Sequence, residues 1–161
     1  MAAPHARPPQ GASPEVREAW QALEAFHAAA AAADSAALLA RFDAEGTFLG
    51  TDGSERWQGE AFHAFVRERM AGGRGWVMRA RRRALAAGGG LAWFDEDLDH
   101  EGLGRLRGSG VLRRGSDGAW RVLLYDLSVP IPNERLAAVR ALLAGPAAGP
   151  AAGATADPAA R

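Results

Sequence analysis

The chain has 161 residues, 19 basic and 19 acidic side chains and no cysteine, and Ala supplies 38 of the residues behind its 48% hydrophobic content. That length suits one domain with one core of ordinary size. The balanced charge argues against a general nucleic-acid or membrane-surface binder, and the lack of Cys excludes a disulfide framework, a thiolate nucleophile and a Cys-based zinc site.

Residues 1–12 and 145–161 are built from Pro, Ala and Gly with almost nothing to bury, so both are expected to be disordered tails around an ordered unit at 13–144. No apolar run reaches the roughly 18 residues that span a bilayer. Residues 1–12 also lack the apolar stretch of a signal peptide. The expected location is therefore the cytoplasm.

Ser13-Pro14-Glu15 marks a helix start, followed by Val16, Trp20, Leu23, Phe26 and Ala30 at helical spacing. Asp34 can cap a short second helix containing Leu38, Leu39 and Phe42, which Gly46 stops. Thr47–Thr51 then reads as a strand and Asp52-Gly53 as a turn. A third helix is expected over 59–71, ended by Gly72 and Gly73. Four strands follow, Trp76–Ala87, Leu91–Asp99, Leu103–Arg114 and Trp120–Val129, separated by Gly-containing turns. Their spacing predicts an antiparallel meander. After Pro130-Ile131-Pro132, Asn133 is expected to cap a last helix carrying Leu136, Val139, Leu142 and Leu143. About three N-terminal helices packed on a curved antiparallel sheet, with a short C-terminal helix, make an α+β domain.

Gly50-Thr51-Asp52 with Glu55-Arg56-Trp57, Gly73-Arg74-Gly75-Trp76 and Ala92-Trp93-Phe94-Asp95-Glu96 resemble the nuclear transport factor 2-like superfamily, in its SnoaL-like bacterial branch. Arg107–Leu112, Trp120-Arg121-Val122 and Leu127–Asn133 extend the match across about 50–133. The resemblance implies a conical fold in which a bent sheet wraps the long first helix and leaves a pocket. It also implies a homodimer formed through the outer sheet face. At Asp126 the chain departs from the branch, where His or Asn often stands.

Strand alternation groups Trp93, Asp95 and Asp97 against Phe94, Glu96 and Leu98. On the last strand it groups Trp120, Val122, Leu124, Asp126 and Ser128 against Arg121, Leu123, Tyr125 and Leu127. Alternation does not say which face is concave; the resemblance turns Asp95 and Asp126 toward the pocket. A carboxylate walled by Trp93, Trp76 and Phe48 would lose solvation, rise in pKa and serve as a general base or a neutral donor to an oxyanion. The same residues also fit cross-strand pairing, with Arg81 opposite Asp95 and Arg79 opposite Asp97. Asp126, beside Tyr125, can share a proton with a carboxylate on a neighbouring strand, or be a buried Asp satisfied by Ser128, Arg107 or a backbone amide. Arg107 can clamp a ligand carboxylate or neutralise an acid. Phe48, Trp57, Trp76, Trp93 and Tyr125 serve as pocket walls and orienting groups, or as core.

His5, His27, His63 and His100 lack metal-site spacing and are read as solvent-facing. Arg81-Arg82-Arg83 alternates across a strand, so it forms no single-face patch for nucleic acid. Two functions remain. One is a domain binding a small apolar or aromatic ligand, with cofactor-free proton-transfer chemistry of isomerase, cyclase or dehydratase type. The other is a non-catalytic dimeric scaffold or protein-interaction module.

Overall fold

The structure, a computed structural model, describes residues 7–145. The expected tails fall largely at 1–6 and 146–161, outside the described residues. Helix α1 (Pro14–Ala31) begins as its sequence dictates: Pro14 occupies the first turn and the Ser13 hydroxyl accepts the Val16 N–H at 3.3 Å. It buries Trp20, Leu23 and Phe26. Helix α2 (Ser35–Ala40) is capped by Asp34, which accepts the Ala37 N–H at 2.9 Å.

Helix α2 was expected to run to Gly46, but strand β1 (Phe42–Leu49) already begins at Phe42. Tertiary pairing overrides the local pattern there. Phe42 pairs with Val122, and its ring lies 4.3 Å from that of Phe62. Strand β2 (Arg56–Gln58) leads into α3 (Gly59–Met70), which buries Phe62, Val66 and Met70.

Strand β3 (Arg79–Gly88) starts three residues later than expected. Trp76 instead bonds through its backbone N–H to the Ala30 carbonyl at 2.9 Å, which ties the chain to the end of α1. A Cβ on Gly75 would sit 2.4 Å from that carbonyl oxygen, so this approach needs glycine. Strands β4 (Leu91–His100), β5 (Gly104–Arg114) and β6 (Trp120–Ser128) complete the expected meander. A 3₁₀ turn at Asn133–Arg135 precedes α4 (Leu136–Ala144); Asn133 makes no side-chain cap.

The sheet order is β2-β1-β6-β5-β4-β3, antiparallel throughout except for the parallel pair β1–β6. Helices α1, α2 and α3 pack on its concave face. Two single-residue insertions interrupt the alternation. Arg81 is the extra residue against β4, and Leu123 the extra residue against β5. An inserted residue turns everything beyond it to the opposite face. Trp120, Val122, Tyr125 and Leu127 therefore all point inward, and Leu124, Asp126 and Ser128 point outward.

Candidate functional site

The concave interior holds a buried polar cluster beneath the aromatic core. Glu96 lies on β4 between Phe94 and Leu98, all three buried, so strand alternation aims it inward. Arg83 reaches it from β3, donating from Nε to Oε2 at 2.8 Å, and its guanidinium also pairs with Glu24 on α1. The same guanidinium lies over the Trp20 ring, 5.0 Å from its centre. The Tyr125 hydroxyl donates to Glu96 Oε1 at 2.7 Å, and His27 Nε2 lies 2.6 Å from the same oxygen.

Burial alone would raise the Glu96 carboxyl, but His27, Arg83 and Tyr125 together hold it down at about 2. Glu96 is therefore ionised at neutral pH and can only accept, so His27 Nε2 donates. Burial and the adjacent Glu96 charge raise the Tyr125 phenol well above its usual range, which keeps it a neutral donor. Both Glu96 oxygens are committed, and a carboxylate this weakly basic is ill-suited to proton abstraction. The cluster is a strut joining α1, β3, β4 and β6.

Gly108 makes this packing possible. It faces Glu96 across the ladder, and a Cβ there would lie 2.4 Å from the Tyr125 hydroxyl.

Among the residues expected to carry chemistry, the inward set comes together. Phe48 stacks on Tyr125 at 5.7 Å and on Trp76 at 6.4 Å, and Trp57 stacks on Phe65, which reaches Trp76 at 5.7 Å. What this packing leaves at the mouth is a crevice of about 20 Å³ between Phe48, Phe65, Trp76, Met78, Leu103 and Leu127. That volume admits about one water molecule.

The expectation that Asp95 and Asp126 face a pocket is corrected: both lie on the outer face, as do Trp93 and Arg107. Alternation puts Asp95 opposite to buried Phe94 and Glu96, and the Leu123 insertion turns Asp126 outward. Trp93 is 55% exposed to solvent. Asp95 pairs with Arg82 at 2.5 Å rather than with Arg81, because the register set by the Gly89-Gly90 hairpin places Ala84 opposite Asp95 and Arg82 opposite Asp97. Arg82 also bonds Asp97 at 2.8 Å and holds that carboxyl below its usual range. Asp95 and Asp126 both align with Ser109 of β5. Two strand spacings separate them, about 9–10 Å, too far to share a proton.

His27 is corrected as well, since its side chain is only 12% exposed. Glu96, Arg83 and His27 were not singled out as a site. The available signal was the grouping of Glu96 with Phe94 and Leu98 on one face. Among the described residues, no cluster of three or more His, Asp or Glu is placed to hold a metal ion, and no helix is long and apolar enough to cross a membrane.

The profile of the SnoaL-like domain matches residues 20–132. The chain belongs to the SnoaL-like domain family. Its fold is that of nuclear transport factor 2-like proteins. A candidate dehydratase of that family from Streptomyces avermitilis aligns over 73% of this chain and 96% of its own, with a TM-score of 0.62 and 18% identity. A protein of unknown function from Pseudomonas putida KT2440 aligns over 74% and 89%, with a TM-score of 0.61 and 21% identity. A candidate ketosteroid isomerase from Shewanella frigidimarina NCIMB 400 aligns over 69% and 94%, with a TM-score of 0.56 and 15% identity. No curated protein matches the SnoaL-like chain described here.

Proposed function

We propose that this SnoaL-like domain works by association, as a non-catalytic scaffold pairing with a second copy through its outer sheet face. The observation that carries this reading is the filled interior. A ligand site needs about 300–1,000 Å³, and the aromatic stack leaves a crevice of about 20 Å³. The only inward carboxylate among the β4 acids, Glu96, is fully bonded.

The outer face supports the same reading. Ala86, Trp93, Val111 and Leu124 align across four strands as one apolar row. On one side of it lie Asp95 and Asp126, and on the other Arg113 and Arg121. A two-fold axis through the apolar row brings each copy's arginines toward the other's aspartates, the self-complementarity an isologous interface requires. Light scattering on the purified chain tests this. The expected mass is twice 16.9 kDa, falling to 16.9 kDa for Trp93→Arg. A wild-type chain that stays at the monomer mass overturns the proposal.

A second reading keeps the small apolar ligand, admitted at the crevice between Phe48 and Trp76, with Trp57 behind it. The apolar walls favour it. Ligand entry would have to displace stacked rings, and Asp95, Asp126 and Arg107 would take no part. Chemical-shift changes confined to the crevice residues, on titration with small aromatic compounds, would favour this reading over association.

A further inference from the structure

A cleft of about 720 Å³ opens on the outer face, where β4 ends and β3 and β5 begin. Arg81, Arg82, Arg105 and Arg107 line it, with Asp97 and Pro130. Two local features bring these arginines together. Arg105 and Arg107 are two apart on β5, so they share the outer face at about 6.6 Å spacing. The Arg81 insertion lets consecutive residues of β3 both reach outer-face acids: Arg81 approaches Asp99 at 3.6 Å, and Arg82 binds Asp95 and Asp97.

The three outer-face carboxylates of β4, Asp95, Asp97 and Asp99, are thereby engaged by the arginines of β3. On β5, neither Arg105 nor Arg107 makes a side-chain hydrogen bond or ion pair among the described residues, although Arg107 lies across the ladder from Asp97 and lowers its pKa. The cation surplus therefore sits on β5, on one wall of an opening whose volume falls in the range of ligand sites. The opposite wall, Arg82, is held in place by its two aspartates, two strand spacings or about 9–10 Å from Arg107.

We propose that this cleft binds a small polyanion, a compact molecule with at least two carboxylate or phosphate groups. Arg105 and Arg107 are its direct ligands, their free planar forks suited to bidentate contact with either group. Arg82 meets the far end of the molecule. A single small anion does not span the two walls, so the ligand needs two anionic groups separated by a short linker. This site lies two rows beyond the apolar band around Trp93 and does not rest on the association reading.

Calorimetric titration of the full chain at low salt, with citrate and with pyrophosphate, tests the proposal and separates carboxylate from phosphate chemistry. The expected result is saturable binding of one equivalent of at least one probe, weakened tenfold or more in Arg105→Ala/Arg107→Ala. Arg56→Ala, an exposed arginine on β2, is expected to bind as wild type. The double variant is expected to keep the wild-type mass, and Trp93→Arg to keep the wild-type affinity. The proposal is overturned by any of three results: neither probe binds saturably, the Arg56 variant loses as much affinity as the double variant, or binding occurs only in Trp93→Arg. In the last case the cleft is covered in the assembly.

Discussion

Glu96→Gln is the perturbation that most directly probes the architecture. It keeps the size of a fully buried side chain and removes its charge, leaving Arg83 buried with only the half-exposed Glu24 as an ionic partner. Breaking a buried ion pair by removing one partner costs about 3–5 kcal/mol. A second route reaches a similar figure. A carboxyl moved from its ordinary 4.5 to about 2 on folding contributes roughly 3 kcal/mol at neutral pH. For a domain of this size that corresponds to a fall in melting temperature of about 10–15 °C.

Because the folded value is depressed, the contribution of Glu96 is complete above about pH 4.5 and is lost as pH falls toward 2. By pH 3 less than half of it remains. Denaturant melts of wild type and Glu96→Gln should therefore differ by a constant amount from pH 5 to 8 and converge below pH 4. Equal midpoints at pH 7, or a gap unchanged at pH 3, would show that Glu96 is not an ionised strut of the fold.

Gly108→Ala places a Cβ 2.4 Å from the Tyr125 hydroxyl, and a loss of about 1–3 kcal/mol is expected in a urea melt. Ser13→Ala removes the acceptor for the Val16 N–H and should cost about 1 kcal/mol by the same measurement. Asp95→Asn should leave the thermal midpoint nearly unchanged, because the pair is exposed and Arg82 keeps Asp97.

Local signals carried much of this fold. Ser13-Pro14 and Asp34 set both helix starts, and Gly89-Gly90 and the Ser116–Gly118 turn set two hairpins, because caps and turns depend on a few neighbouring residues. The faces of the strands were harder to read. Leu123 and Arg81 leave no mark on an apolar or basic run, yet each insertion reverses the residues beyond it. The resemblance turned Asp126 inward, and the Leu123 insertion separates it from the face of Trp120 and Val122. The resemblance also turned Asp95 inward, but its neighbour Glu96 takes the inner face, and only contact with His27 and Arg83, distant in sequence, makes burial of Glu96 tolerable. Helix α2 was read too long because the strand pairing of Phe42 involves residues 80 positions away.

The parallel seam between β1 and β6 also governs how the chain can be made. The edge of β1 that will meet β6 keeps its backbone amides and carbonyls unpaired until residues 120–128 are available. At about 5–20 residues per second, some 70 intervening residues keep that edge waiting roughly 4–14 s on the ribosome. The meander β3–β5 can close from local hairpins meanwhile, whereas β1 cannot be completed early by any local contact. Nascent-chain aggregation should therefore begin from β1, and a chaperone that shields residues 42–49 during synthesis would raise the yield of folded protein without altering its final stability.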